Sequence, residues 1–281
     1  MRRLIINADD FGLTAGVNRA IVEGHLNGVV SSTTVMACGQ RFEDAAALAR
    51  QAPGLSVGCH LVLVDGTPAA SAAQIPSLIG ASDGHFREKL LNFACLALAG
   101  KLDPGQIEAE AMAQIQKLQK AGIAVSHLDS HKHTHMFPVV LRGMLRAAKN
   151  CGIRAIRNPF EPLVFTSLHH WKRQFQLRLL SRFRASFHAA LADAGVVTPD
   201  GCIGIAATGG LTRETFQALI ENLPDGTWEF VSHPGYHDPD LDKVKTRLRE
   251  SREKELEILT NPAVKDLLRR ESIQLISYRE L

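Results

Sequence analysis

The sequence predicts an α/β protein: a (β/α) barrel-like variant of the TIM barrel, with about seven to eight parallel strands, in a single domain over residues 1–281. Short apolar runs alternate with segments of helical periodicity, which is typical of a parallel sheet covered by helices. No internal repeat and no Pro/Gly/Ser-rich linker divides the chain. An open, doubly wound sheet is the alternative arrangement.

The predicted strands are short β-branched or apolar runs, and the predicted helices have apolar residues at helical spacing. The strands cover residues 3–8, 29–37, 55–64, 124–129, 154–157, 203–207, 228–232 and 273–277. The helices cover residues 15–27, 41–51, 104–121, 138–151, 165–194, 212–222 and 241–259. Two insertions, about 65–100 and 165–194, interrupt the alternation. Because long segments after strands often carry function, we expect the first insertion to lie near a substrate.

The composition excludes several classes of protein. Hydrophobic residues make up 45% and charged residues 22% of the chain, which is ordinary for a globular protein. The net charge of +3 does not indicate a nucleic-acid-binding protein. The five cysteines are scattered without a CxxC pair, which favours a reducing compartment. No signal peptide and no apolar run of roughly 18 residues is apparent, so we expect a cytoplasmic protein.

The first candidate motif is NADDFG at residues 7–12, which follows the first predicted strand. Two adjacent buried carboxylates need a cation or hydrogen-bond donors nearby. Since successive side chains of an extended segment point in opposite directions, we expect one of Asp9 and Asp10 to face a metal and the other to face substrate or solvent. A strand-end turn, in which an Asp accepts backbone hydrogen bonds, is the alternative.

Histidines supply the next candidates. His60 interrupts the apolar strand LSVGCHLVLV, where a metal ligand and a hydrogen-bonded core residue are both reasonable interpretations. His131, His133 and His135 follow another strand in HLDSHKHTH, and imidazole suits zinc and other first-row metals. Asp129 could orient one of these ligands. A polar surface turn is the alternative for this cluster.

Two further predicted strands are followed by candidate functional residues, His233 and Arg157. Pro234 favours extended backbone at His233 and so places this imidazole at the C-terminal end of its strand. Helix or turn capping is the alternative role for His233. Arg157 follows another predicted strand and could bind substrate oxygens or form an ion pair.

All these residues lie on or just after predicted strands, whose C-terminal ends meet at one face of a barrel. One carboxylate and two histidines from different strands can form an open metal site. The remaining carboxylate and histidine could then act as base and acid. The residue types therefore predict a metal-assisted hydrolase.

The combined motifs resemble those of the YdjC-like carbohydrate deacetylases. They are NADDFG, G-x-H-L, H-L-D-S-H-x-H-x-H-M-F-P and S-H-P-G, and they extend to about residue 236. The resemblance implies a barrel-like fold, a divalent metal that is generally magnesium, and removal of the acetyl group from an N-acetylated sugar. That sugar could be a chitooligosaccharide or an N-acetylglucosamine-bearing glycolipid such as a hopanoid. The ligand types by themselves favour zinc.

The resemblance also implies roles for individual residues. The implied metal ligands are Asp10, His60 and His131. Asp9 would be the general base that activates water, and His233 the general acid for the leaving amine. The candidates for substrate binding are Arg157, His133 and His135.

Other questions stay open at the level of sequence. The basic and aromatic segment 165–194 is either an outer barrel helix or a peripheral contact with an anionic membrane surface. A homodimer is a further expectation. The alternative functions are a metal-dependent phosphoesterase, which would cleave phosphate esters without releasing acetate, and a noncatalytic carbohydrate- or partner-binding protein.

Overall fold

The computed structural model describes residues 1–80, 84–162 and 181–281. Its strands are β1 (Arg2–Phe11), β2 (Ser32–Val35), β3 (Ser56–Leu61), β4 (Leu128–Ser130), β5 (Gly201–Ile203), β6 (Gly226–Ser232) and β7 (Ile273–Ile276). The helices are α1 (Ala15–Leu26), α2 (Phe42–Gln51), α3 (Leu90–Leu98), α4 (Pro104–Lys120), α5 (Pro138–Asn150), α6 (Arg184–Ala194), α7 (Arg213–Glu221), α8 (Pro239–Asp242), α9 (Glu250–Thr260) and α10 (Pro262–Arg270). Short 3-10 helices cover His131–Met136, Ser181–Phe183 and Tyr278–Glu280.

The strands form a parallel sheet in the order β4-β3-β2-β1-β6-β5. β1 is its central strand, and its apolar residues Leu4, Ile5 and Ile6 have no exposed surface. β1 pairs with β6 on one side. On the other side it pairs with β7 near its start and with β2 near its end. This arrangement places the C-terminal end of β1, and thus the NADDFG motif, in the middle of the row formed by the C-terminal ends of the strands.

The sheet curls so that its edges approach each other. Leu128 in the edge strand β4 forms a parallel bridge with Ile156, and Ala155 forms another with Val197, shortly before β5. Helices surround the curled sheet, and most of the buried apolar side chains form one large cluster. The predicted (β/α) barrel-like fold is confirmed, and the open, doubly wound alternative is wrong.

Several boundaries differ from the sequence prediction. Residues 154–157 do not form a strand and make only single bridges, at Ala155 and Ile156. The strand predicted at 203–207 ends at Ile203, since Gly204 has a φ of 93° and starts a turn. The helix predicted at 241–259 divides into α8 and α9. Of the helix predicted at 165–194, residues 165–180 lie outside the described residues, and the rest contains α6.

Local sequence signals explain where several helices begin. The Thr14 hydroxyl accepts a hydrogen bond from the Val17 amide at the start of α1. Pro104 and Pro138 occupy first positions of α4 and α5, where a missing N–H costs nothing. Among the helices of the described ranges, none combines the length and the apolar character required to cross a bilayer.

Gly58 in β3 provides a test of how tightly the interior is packed. A Cβ atom at this position would lie 2.6 Å from the ring of His127, which is fully buried and stacks on Tyr278 with 3.5 Å between ring centroids. We expect Gly58→Ala to lower the free energy of unfolding by about 1–3 kcal/mol, because the ring has no space to move. Urea denaturation measures this change. Gly210→Ala is the control, since its Cβ would meet nothing closer than 3.9 Å; equal stabilities of the two variants would contradict the prediction.

Candidate metal centre and active-site cleft

A cleft of about 410 Å³ opens at the C-terminal ends of the strands. It brings together most of the residues that the sequence singled out. Those that line it are Asp9, Asp10, His60, His131, His133 and His233. Arg157 and His135 lie behind its wall, with no exposed surface.

A β-bulge turns both carboxylates of the first motif toward this cleft. The pairing of β1 with β2 shifts between Ala8 and Phe11, and Asp10 has a left-handed φ of 68°. A regular strand would send Asp9 and Asp10 to opposite faces, as the sequence led us to expect, but the bulge removes this alternation. Both side chains line the cleft while staying almost completely buried. Such a left-handed non-glycine residue is often found at functional sites.

Asp10, His60 and His131 form a compact group of ligand-type atoms. Asp10 Oδ1 lies 3.6 Å from His60 Nε2 and 3.5 Å from His131 Nδ1. One ligand atom from each residue lies within 4.8 Å of the others. The three residues come from β1, β3 and the turn after β4, and their side chains face the open cleft. One carboxylate oxygen and two imidazole nitrogens at these separations fit a divalent cation with free positions toward the cleft.

Asp129 orients His60 for this purpose. Its Oδ1 accepts a hydrogen bond from His60 Nδ1 at 2.7 Å, which leaves Nε2 directed at Asp10. Burial lowers the pKa of His60, but the carboxylates of Asp129, Asp9 and Asp10 together outweigh burial and raise this pKa to about 9. A carboxylate behind the imidazole is the usual support for a metal-ligating histidine.

A second group, Asp9, His60 and Asp129, also brings ligand-type atoms within 4.8 Å of one another. Arg157 donates to Asp9 and forms an ion pair with Asp129, however, so the carboxylates of this group already have a cation. The group that contains Asp10 is therefore the better candidate for a metal centre.

Arg252 holds the other oxygen of Asp10. Its Nη2 donates to Asp10 Oδ2 at 2.6 Å, and the arginine side chain is 1% exposed. Burial raises the pKa of Asp10, but Arg252 and then His131 overcome this effect and keep the pKa well below its usual value. Asp10 is thus an ionised carboxylate with one oxygen fixed and the other facing the two imidazoles.

Asp9 is fixed from several directions. Arg157 donates from Nη1 to Oδ2 at 2.8 Å and from Nη2 to Oδ1 at 2.6 Å, which is a two-point contact. The Asn7 amide donates to Oδ1 at 2.9 Å, and Thr34 makes a longer contact at 3.4 Å. Burial raises the pKa of Asp9, but Arg157, with smaller contributions from His60 and His233, holds the pKa far below its usual range.

Arg157 is the shared cation of the interior. Besides Asp9, its guanidinium contacts Asp129 Oδ2 at 2.6 Å and Glu229 Oε1 at 2.7 Å. The arginine and the three carboxylates are each no more than 1% exposed. Arg157 therefore does not line the cleft and affects it only through the side chains that it contacts.

The histidine-rich segment forms a turn rather than a row of parallel side chains. Lys132 and His133 both have left-handed backbone conformations within the 3-10 helix His131–Met136. His133 reaches the cleft, and burial followed by the charge of Arg157 lowers its pKa well below the usual value. His135 is fully buried, its Nδ1 lies 2.5 Å from Ser130 Oγ, and burial lowers its pKa to about 3.

His233 lies near the Asp9 oxygen that also accepts a hydrogen bond from Arg157 Nη1. Its Nε2 is 3.8 Å from Asp9 Oδ2, and its backbone amide donates to Glu255 Oε2 at 2.6 Å. Burial lowers the pKa of His233 to about 4, although Asp9 acts in the opposite direction. The imidazole is consequently neutral at neutral pH and close enough to exchange a proton with Asp9 after a small movement.

The first insertion forms part of the mouth of the cleft. Asp65 lines the cleft and pairs with Lys132 at 2.6 Å. Farther along the insertion, Glu88 pairs with Lys245 on the loop between α8 and α9, at 2.7 Å. The expectation that residues 65–100 lie near the candidate site agrees with these contacts.

Three further residues of the polar interior, Arg252, Glu229 and Tyr278, were not predicted from the sequence. Glu229 had a detectable signal, because it is a charged residue within the apolar strand TWEFVS. Arg252 and Tyr278 lie in segments with no local motif that marks a site, and only the folded chain brings them to the polar interior.

The chain is similar to known proteins over nearly its whole length. The YdjC-like protein family matches residues 3–270. A carbohydrate deacetylase of Brevibacillus brevis is 33% identical over 280 residues, which cover 99% of each chain. Another from Geobacillus stearothermophilus is 34% identical, with 99% of this chain and 98% of that protein covered. A crystal structure from Enterococcus faecalis V583, provisionally described as a cellobiose-phosphate cleavage protein, has a TM-score of 0.80 at 28% identity and covers 99% and 98% of the two chains.

The position of Arg157 generates a prediction about stability. We expect Arg157→Met to lower the free energy of unfolding by about 3–5 kcal/mol at neutral pH, because it leaves buried carboxylates without their cation. The loss should shrink as the pH falls through the range in which carboxylates become protonated, since Arg157 lowers the folded-state pKa of Asp9. Denaturant titrations at several pH values measure both effects.

Arg213→Met is the matched control, because Arg213 pairs with Glu257 while both side chains are more than half exposed. That variant should change stability by no more than about 1 kcal/mol. A similar loss in the two variants would contradict the role of Arg157.

Proposed function

The chain belongs to the YdjC-like protein family, and from this membership and the geometry of the cleft we propose that it is a metal-dependent carbohydrate deacetylase acting on an N-acetylated sugar. The observation that carries the proposal is the grouping of Asp10, His60 and His131 beside the separately fixed carboxylate of Asp9. A metal-ligand group, a candidate base and a candidate acid thus line one cleft, which is what amide hydrolysis requires.

We assign Asp10, His60 and His131 as the residues that would hold the divalent metal. When bound, the metal would polarise the acetyl carbonyl and make water a better nucleophile. Two imidazoles with one carboxylate favour zinc over magnesium, which prefers an environment of oxygen ligands. Magnesium is the ion implied by the sequence resemblance, so both ions belong in the test.

Asp9 is the proposed general base. Arg157 keeps its carboxylate ionised at neutral pH and fixes both oxygens, so that a proton acceptor is always present in one position. The low pKa makes Asp9 a weak base. It is therefore best suited to accept a proton from a water molecule whose own pKa is lowered. The proton of the attacking water passes to Asp9 Oδ2 as the oxygen attacks the acetyl carbon.

His233 is the proposed general acid. Its imidazole is neutral before the reaction, because burial lowers its pKa to about 4. It must therefore gain a proton during the reaction. We propose that this proton comes from Asp9 Oδ2, which has received it from water and lies 3.8 Å from His233 Nε2. His233 then donates this proton to the amine as the C–N bond breaks. The products are acetate and the deacetylated amino sugar.

The candidate substrate-binding residues divide into two groups. His133 lines the cleft and is the residue among them that we propose contacts the sugar. Arg157 and His135 have no exposed surface, so we propose that they support the site from behind. The identity of the sugar, whether a soluble chitooligosaccharide or a lipid-linked N-acetylglucosamine, is left to the experiment below. A cytoplasmic location, peripheral contact with a membrane surface and a homodimer stay predictions from the sequence.

A screen for acetate release tests the proposal. We expect the protein, after chelation and reloading with zinc, magnesium, cobalt or nickel, to release acetate from N-acetylglucosamine, chitooligomers or an N-acetylglucosamine glycolipid. The ligand types predict that zinc restores activity at a lower concentration than magnesium does. Coupled acetate detection, together with metal analysis of the purified protein, measures this result. Phosphate release from generic phosphate esters without acetate release would favour a phosphoesterase, and sugar binding without turnover would favour a noncatalytic protein.

Replacement of Asp9 tests its role as the base. We expect Asp9→Asn to reduce kcat by about 10²–10⁴-fold, because the amide accepts no proton, while the metal content stays unchanged. Steady-state kinetics and elemental analysis of the same preparation measure the two quantities. Asp193→Asn, on the exposed surface of α6, is the control for a single lost carboxylate. A near-normal rate for Asp9→Asn would disprove the proposed role.

A further inference from the structure

Beneath the cleft, a chain of buried hydrogen bonds extends away from Asp9 into the interior of the barrel. Asp9 contacts Arg157, Arg157 contacts Glu229, and the Tyr278 hydroxyl donates to Glu229 Oε2 at 2.5 Å. Glu229 and Tyr278 are 0% and 2% exposed, and neither lines the cleft. The proposed reaction therefore assigns no chemical step to either residue.

Glu229 holds the edge of the guanidinium that is formed by Nε and Nη2. Its Oε1 accepts from Arg157 Nε at 2.9 Å and from Nη2 at 2.7 Å. Nη2 also donates to Asp9, so a single nitrogen joins the two carboxylates. Because the guanidinium is planar, fixing its Nε edge also fixes the direction in which its Nη atoms point.

Tyr278 in turn fixes Glu229. Its ring stacks on His127 with an interplanar angle of 8°, and its backbone amide donates to Ser32 Oγ at 3.2 Å. Its 3-10 helix begins with a capping box between Ser277 and Glu280. The hydroxyl therefore reaches Glu229 from a rigid position, and with Arg157 it occupies both oxygens of that carboxylate.

We propose that Glu229 and Tyr278 are positioning residues, which fix the Arg157 guanidinium and thereby aim the Asp9 carboxylate into the cleft. This inference rests on the proposed function, in which Asp9 accepts the proton of water. Arg157 has contacts with Asp9, Asp129 and Glu229, and loss of the Glu229 contacts lets the guanidinium turn toward the other two. A displacement of about 0.5 Å is enough to spoil the geometry of a catalytic group.

Tyr278→Phe is the primary test, because it removes only the hydroxyl and retains the stacked ring. We expect kcat to fall by about tenfold or more, as for loss of a hydrogen bond to a charged group, with KM and metal content unchanged. Tyr236→Phe is a matched control: Tyr236 is the other tyrosine of the chain, and its hydroxyl also donates to a carboxylate, Glu23, at 2.5 Å, but it does not line the cleft. An equal change of kcat in the two variants would overturn the proposal.

Substitutions of Glu229 give a second measurement if Tyr278→Phe fails to fold. Glu229→Gln retains an acceptor for Arg157, whereas Glu229→Ala removes it. We expect Glu229→Gln to keep a larger fraction of kcat than Glu229→Ala, at equal metal content and after correction for the folded fraction. A loss of activity that follows the folded fraction alone would assign both residues a purely structural role and overturn the proposal.

A crystal structure of Tyr278→Phe, or of Glu229→Gln, separates this inference from the proposed function. Movement of the Arg157 guanidinium by more than about 0.5 Å, with loss of its two-point contact to Asp9, supports the positioning role. An unchanged Arg157–Asp9 contact overturns it. If the wild-type protein releases no acetate from any sugar, the proposed function fails, and the crystallographic result still decides whether Tyr278 and Glu229 position Arg157.

Discussion

The buried ion group around Arg157 is the interaction on which the rest of the site depends. One guanidinium, fully removed from water, contacts Asp9, Asp129 and Glu229. Separating such charges from water is costly unless their geometry and hydrogen bonding are close to ideal. The barrel supplies this geometry because its strands deliver the carboxylates to the interior from different directions. Arg157 also links the two halves of the site, since Asp9 is the candidate base and Asp129 orients the candidate ligand His60.

Local backbone distortions then determine which side chains face the cleft. The β-bulge at the end of β1 brings Asp9 and Asp10 to the same side, where each has its own arginine. Asp9 becomes an ionised carboxylate with both oxygens held, whereas Asp10 keeps one oxygen directed at two imidazoles. Adjacent residues of one type therefore acquire different chemical tasks. The left-handed turn at Lys132 and His133 likewise separates the neighbouring histidines into a candidate ligand, a cleft residue and a buried residue.

The site combines a buried interior with a more exposed mouth. The side chains that hold Asp9 and Asp10 are buried and connected by short hydrogen bonds. The mouth is formed by loops that are joined through more exposed ion pairs, such as Lys245 with Glu88. Exposed pairs of this kind contribute little to stability. Such a division suits a hydrolase that must fix its reacting groups and still admit a carbohydrate.

The amino-acid sequence alone predicted the alternation of strands and helices, the parallel barrel-like sheet and the motifs that meet at its C-terminal face. These features follow from periodicity and from residue types next to strand ends, which are local properties. It did not determine that Asp9 and Asp10 face the same cleft, because a bulge overrides the alternation of a regular strand. Nor did it reveal Arg252, Glu229 and Tyr278, whose importance arises from contacts between residues far apart in the chain. Tertiary structure decided these points, since burial places each charge beside a distant partner that must balance it.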